Sequence, residues 1–241
     1  MKLAETDHFL NLKLSYASVG DRTWEENDFS KDSIITSRTL FTEHSLIQRK
    51  PVPKDLEVYA FLSGIEFPDY VTSKLLDLQS SISSIIGDSL HYWVLPENFG
   101  LEYAVFKWPE EVWDESRETA VCDFLSNMKI LPFYYFLHGI QVNPDGCIVA
   151  KGYDEGGAIF SMRELFRNKL SFLPKKQSGW AHIPLGRILE PVGEKKFEEL
   201  RLLINEVGQT FITEHLITSA KFVHETKWYM ERKAVISQVN F

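Results

Sequence analysis

The chain has 241 residues, of which 44% are hydrophobic and 25% charged, enough to bury a core in one large domain or two small ones. A formal net charge of −8 argues against a general surface for duplex DNA or anionic membrane, and 13% aromatic residues argue against disorder. The two cysteines, Cys122 and Cys147, fit neither a metal-ligand spacing nor a disulfide scaffold. No apolar run is long enough to cross a bilayer, and charges and a histidine break the apolar pattern of the N-terminus. A cytoplasmic protein is expected.

Residues 1–50 are polar and lack a clean period apart from a short helix around 3–14, so an irregular extension is expected there. The prolines of "RKPVPKD" (49–55) mark a boundary, which leaves residues 51–241 as the main domain. "LEVYAFLSGI" (56–65) reads as a strand. In 67–88, Val71, Leu75, Leu78, Ile82 and Ile85 recur at helical spacing, with Asp69 as N-cap and Gly87 as stop signal. Strands are expected at 89–96 and 101–109, separated by a Pro96-Glu97-Asn98 turn, and then a helix over 110–129. An aromatic strand at 132–144 turns at Asn143-Pro144-Asp145-Gly146 and pairs with 147–153 as a hairpin. A helix follows at 158–173, a strand interrupted by Pro184 at 180–189, and an amphipathic helix at 194–209. The segments 216–230 and 232–241 close the chain as a β-hairpin. Mixed strands, helices and hairpins in this order give an α+β pattern rather than βαβ winding.

Two segments carry a family resemblance. "YWVLPENFGLEYAVF" (92–106) and "AHIPLGRIL" (181–189) resemble the two signature regions of the two-histidine (2H) phosphoesterases, the 2′-5′ RNA ligase and cyclic phosphodiesterase-like superfamily. The middle hairpin, the helix after it and the terminal hairpin fit the same pattern, so the resemblance spans roughly residues 56–241. It implies a bilobal α+β fold, two antiparallel sheets around a central cleft with outer helices. It also implies metal-free and cofactor-free chemistry, in which one histidine from each lobe serves as general base or general acid on a phosphodiester. A hydroxyl two residues after each histidine shares its face of the strand and binds phosphate.

On this alignment the motif positions are Gly100, Glu102, His182 and Pro184. Only His182 keeps the family's residue type. Gly100 has no side chain to move a proton, and Pro184 has neither a hydroxyl nor an N–H. Glu102 is expected to point into the cleft. There a raised pKa would make it an acid partner for His182, or it would bind a cation such as Arg187 or Lys107. A shifted alignment makes His91 the first-motif histidine, and His138 is the next candidate for the missing one. Any lone strand histidine also reads as a satisfied core residue. The candidate catalytic residues are therefore His182, Glu102 and His91, and the candidate ligand-binding residues are Arg187, Tyr103 and His138.

Other motifs carry less. "VNPDG" (142–146) is turn chemistry, "GYDEGG" (152–157) lacks the Lys-Ser/Thr of a phosphate loop and reads as a flexible loop or lid, and "PKK" (174–176) is solvated surface. Three readings follow. One is a degenerate 2H-like protein that binds a nucleotide, an RNA end or another phosphorylated ligand. The second is an active phosphodiesterase on 2′,5′-linked or cyclic phosphodiesters. The third is a non-catalytic interaction module whose N-terminal extension fills the cleft or docks a partner.

Overall fold

A computed structural model describes residues 6–241. The stretch expected to be irregular is largely helical: α1 (Asp7–Gly20), α2 (Lys31–Arg38) and α3 (Glu43–Ile47). Hydroxyl caps set two of the starts. Thr6 accepts the Phe9 N–H at 3.2 Å and Ser30 accepts the Ser33 N–H at 3.0 Å. These helices are short and bury few side chains, Phe9, Leu12 and Tyr16 on α1 and Ile34 on α2, so little apolar periodicity marks them.

The chain continues with β1 (Asp55–Gly64), α4 (Asp69–Ile86), β2 (His91–Trp93), β3 (Gly100–Lys107), α5 (Glu115–Ser126), β4 (Phe133–Val142) and β5 (Cys147–Asp154). It continues with α6 (Ala158–Lys169), β6 (Ile183–Ile188), α7 (Glu194–Val207), β7 (Phe211–Ile217), β8 (Ser219–Lys227) and β9 (Arg232–Asn240). Asp69 is the first residue of α4 rather than its cap, which is Pro68; its carboxylate sits in the first turn, where the helix dipole favours negative charge.

The strands form two antiparallel sheets, one ordered β3-β1-β8-β9 and the other β2-β6-β5-β4-β7. Each face of the first sheet has its own apolar environment. On the outer face Phe61, Phe106 and Phe222 pack with Phe166 of α6 and with Trp113. On the inner face Val58, Ala60, Leu62, Val105 and Val223 form a separate cluster joined by Trp228 and Met230. Helices α4 and α7 pack together against the second sheet, and Gln79 of α4 donates to the Val94 and Leu185 carbonyls at 2.9 and 2.8 Å. Among the described residues no helix is long and apolar enough to cross a membrane.

Two sequence expectations change. The strand β7 stands apart from the terminal hairpin: it pairs with β4, and the chain then passes at Thr218 to the other sheet. As an edge strand half-exposed along most of its length, β7 shows no clean alternation to read. The strand expected over 180–189 with an interruption at Pro184 is β6, which starts only at Ile183 and carries Pro184 as its second residue. Pro184 pairs with Val149 beside a register shift, ahead of the Gly186–Ile188 stretch where β2 pairs.

The two lobes meet where β3 runs past the start of β6, and Arg163 of α6 fastens them. Its side chain is almost wholly buried and donates to three backbone carbonyls: Tyr103 (3.0 Å) and Glu102 (2.8 Å) of β3, and Trp180 (2.8 Å) ahead of β6. The Phe160 ring, one turn back, lies 5.0 Å below the guanidinium carbon. Replacing Arg163 with Met keeps the stem but leaves three buried carbonyls without donors. A loss of about 3–5 kcal/mol in denaturant unfolding is expected, the range for removing one partner of a buried charged network. A loss below about 1 kcal/mol would show that the lobes are held by apolar packing alone.

Candidate functional site

A cavity of about 100 Å³ lies between the inner faces of the two lobes. One wall is Gly100 and Glu102 of β3, two residues apart and so on one face of the strand. The opposite wall is His182 and Pro184, with Val94 beside them. All four positions aligned with the family's motifs therefore line one cavity.

The third side is the tip of the β8–β9 hairpin, which brings in Tyr229 and Met230. Both have left-handed backbone, φ 61° and 55°, which costs non-glycine residues roughly 1–2 kcal/mol each. Tertiary contacts hold this geometry. The Met230 N–H donates to Glu225 at 2.8 Å. The Tyr229 ring lies 5.0 Å from Tyr92 and 6.1 Å from Phe41, which precedes α3. Glu231 accepts the Tyr92 hydroxyl at 2.8 Å and pairs with Lys227 at 2.6 Å. A Cβ on Gly100 would lie 3.4 Å from Met230 Cε, so the methionine covers the position of the first motif residue.

Burial disfavours the charged form of both titratable groups that line the cavity, Glu102 and His182. His182 has its pKa lowered to about 4, first by burial and then by the nearby Arg163 and Arg187, and its Nδ1 has no hydrogen-bond partner. Burial raises the Glu102 pKa, and the Arg163 charge opposes that rise. Glu225, behind the hairpin tip, is pushed up to about 7, chiefly by burial. The Met230 N–H lowers it and the Glu102 charge raises it further. Among the described residues, no group of three or more His, Cys, Asp or Glu side chains gathers to hold a metal.

The sequence matches no protein-family model and no curated protein. Solved structures do match in shape. TT0787 of Thermus thermophilus superposes with a TM-score of 0.56 at 15% identity, covering 76% of this chain and 97% of that one. E. coli LigT complexed with 3′-AMP gives 0.53 at 12% identity, covering 78% of this chain and 99% of its own. A structure described as a phosphoesterase gives 0.53 at 12%, with 78% and 99% covered. This chain has the LigT fold. The bilobal α+β architecture implied by the resemblance is the one observed.

Within the LigT fold the candidate residues separate. His182 and Glu102 share the cavity. His91 does not reach it: Tyr92 and Val94 take the inner side of that strand, while His91 packs on Trp93 at 5.4 Å with its Nδ1 2.6 Å from the Ser89 carbonyl. Tyr103 alternates with Glu102 onto the outer face, fully buried, and its hydroxyl donates to Ser63 at 2.7 Å. His138 lies under α1, its ring 6.3 Å from Phe9 and 6.1 Å from Tyr153. Arg187 borders the hairpin tip but is sealed: it pairs with Asp145 at 2.8 Å and also donates to Ser37 of α2 and to the Tyr229 hydroxyl. The cation beside Glu102 is Arg163, neither Arg187 nor Lys107.

The loop after β5 is pinned rather than free, because the Asp154 carboxylate accepts the Ile159 N–H at 2.8 Å and lies 3.2 Å from His8 Nε2. Sequence reasoning missed Arg163, Tyr229 and Met230. Their signals were an arginine on the face of α6 that also carries Ile159, Met162 and Phe166, and a Trp-Tyr-Met run where a hairpin tip ordinarily carries turn formers.

Two of these shifts oppose each other in pH. Glu225 has a folded pKa of about 7 against an ordinary 4.5, so its contribution is lost as pH rises from 4.5 through 7, on the order of 3 kcal/mol. His182 has a folded pKa of about 4 against an ordinary 6.5, so stability is lost as pH falls from 6.5 through 4. The melting temperature of Glu225→Gln should therefore rise with pH between 4.5 and 7 more steeply than that of wild type, and His182→Asn should show the reverse slope. Parallel profiles for all three proteins would show that neither group titrates as described.

Proposed function

We propose that this chain is a non-hydrolytic LigT-fold protein whose central cleft is closed by its own side chains and which acts as an interaction module. One observation carries the reading. Arg187, the cation that would face a phosphate, is occupied by Asp145, Ser37 of the N-terminal extension and Tyr229 of the hairpin tip. What remains is about 100 Å³, too little for a nucleotide. The chemistry agrees. Paired acid–base catalysis needs two groups that exchange a proton with one substrate. Gly100 supplies none, Pro184 offers no hydroxyl, and an ionised Glu102 repels phosphate.

A second reading has its own support. His182 lines the cavity and its Nδ1 is buried without a partner, which a ligand in the cavity would explain. LigT has been crystallised with 3′-AMP, with phosphate and with ATP. If the hairpin tip swings out, a phosphorylated ligand would reach His182.

Hydrolysis of 2′,3′-cyclic nucleotides, 2′,5′-linked dinucleotides and cyclic-phosphate RNA ends tests the proposal, with His182→Ala and Glu102→Gln alongside wild type. The expected rate is no higher than that of His182→Ala. Turnover abolished by His182→Ala would overturn the proposal and establish His182 as catalytic. Titration with 3′-AMP and inorganic phosphate should give no binding to wild type. Binding gained in Tyr229→Gly/Met230→Gly, where glycine also removes the left-handed strain, would favour the second reading.

A further inference from the structure

A second polar cavity, away from the cleft, lies at a gap in the second sheet. Strand β7 pairs with β4 only over Phe133–His138, so the stretch from Gly139 to Val142 has no pairing strand on that side. There a cavity of about 130 Å³ opens between the ends of α1 and α7. Lys151 of β5 lines it and is only 4% exposed. Gly139 leaves room for this side chain: a Cβ there would come within 2.8 Å of Lys151 Cε and 2.0 Å of the Gly208 carbonyl oxygen.

Among the described residues Lys151 has no hydrogen-bond acceptor and no ion-pair partner. Its pKa is lowered to about 8, first by burial and then by Lys13, with Asp21 opposing. The Lys151 stem is buried while its ammonium meets the cavity without a protein partner, and the polar space beside it is where a partner belongs. The lining is not purely cationic. It also presents the Asp21 carboxylate and the carboxamides of Gln141, Asn205 and Gln209, with Trp24 as the apolar wall. A simple anion would satisfy Lys151 but face Asp21. A molecule carrying both charges satisfies both. At a water's share of roughly 30 Å³, the volume holds a handful of heavy atoms.

We propose that this cavity is a binding site for a small zwitterionic α-amino acid, its carboxylate on Lys151 and its ammonium on Asp21. Lys13 adds positive charge near the Lys151 end, since it helps lower the Lys151 pKa. The site shares no lining residue with the His182 cavity, so its fate is independent of the function proposed above.

Calorimetric titration of the full chain with glycine, alanine, acetate and methylamine tests it. Glycine or alanine should bind at least tenfold more tightly than acetate or methylamine. Lys151→Met, which keeps the buried stem and removes only the unpartnered ammonium, should weaken glycine binding at least tenfold with its melting temperature retained. Asp21→Asn, an exposed change, should erase the preference for glycine over acetate while leaving acetate binding intact. Acetate binding as tight as glycine would overturn the zwitterion assignment. Absence of saturable binding by all four probes, or glycine binding unchanged in Lys151→Met, would overturn the site.

Discussion

The arrangement of this molecule depends on one buried cation. Burying a guanidinium costs several kcal/mol, recovered only if its donors meet acceptors of good geometry. Arg163 meets three carbonyls, and their placement matters more than their number. Glu102 and Trp180 belong to different lobes, and each carbonyl lies on or close to a position that lines the central cavity. The same side chain that joins the sheets therefore fixes how Glu102 and His182 face each other. Its charge also reaches both, opposing the rise in the Glu102 pKa and adding to the fall in that of His182. Lobe docking and cleft electrostatics have a common origin.

Closure of the cleft rests on a second set of charges. The hairpin tip takes a conformation that its residue types disfavour, and such a conformation persists only where surrounding contacts over-determine it. Here those contacts come from every side: Glu225 behind the tip, Tyr92 and Arg187 from the second sheet, and Phe41 from the N-terminal extension. Ser37 and Asp145 complete the shell around Arg187. The extension thus does more than cover a surface, because it contributes both a ring and a hydroxyl to the shell that keeps the tip in place.

Much of the fold was legible because it rests on local patterns. The spacing of Val71, Leu75 and Ile82 marks α4, and the Asn143–Gly146 turn marks the β4–β5 hairpin. Strand alternation from the aligned motifs brought Glu102 and His182 to one cavity, and the same alternation sends Tyr103 and His91 away from it. What sequence could not supply was tertiary. The N-terminal helices bury too few side chains to show a period, and β7 is an edge strand without a buried face. Arg187 looks like an anion donor until Asp145, Ser37 and Tyr229 are seen around it, residues 42 positions away on either side and 150 away. Tyr229 and Met230 matter only because a long hairpin folds inward, which no short-range signal announces.

A fold does not by itself fix a chemistry, since sites are grafted onto folds rather than dictated by them. The charges around the central cavity bear directly on the reading proposed for it. An imidazole held near a pKa of 4 is neutral at pH 7 and offers an anion no charge. For a phosphate to bind beside it, the ligand would have to bring a proton with it or raise that pKa by its own field, and either route subtracts from affinity. Glu102 adds to the same penalty whenever it is ionised. The nearest cations are committed: Arg163 to backbone carbonyls that hold the lobes, and Arg187 to the shell around the hairpin tip. Recruiting either for a ligand would loosen the contacts that keep the cavity in shape. In the proposed reading, the groups that disfavour phosphate in this cleft are the same groups that hold the lobes and the hairpin tip.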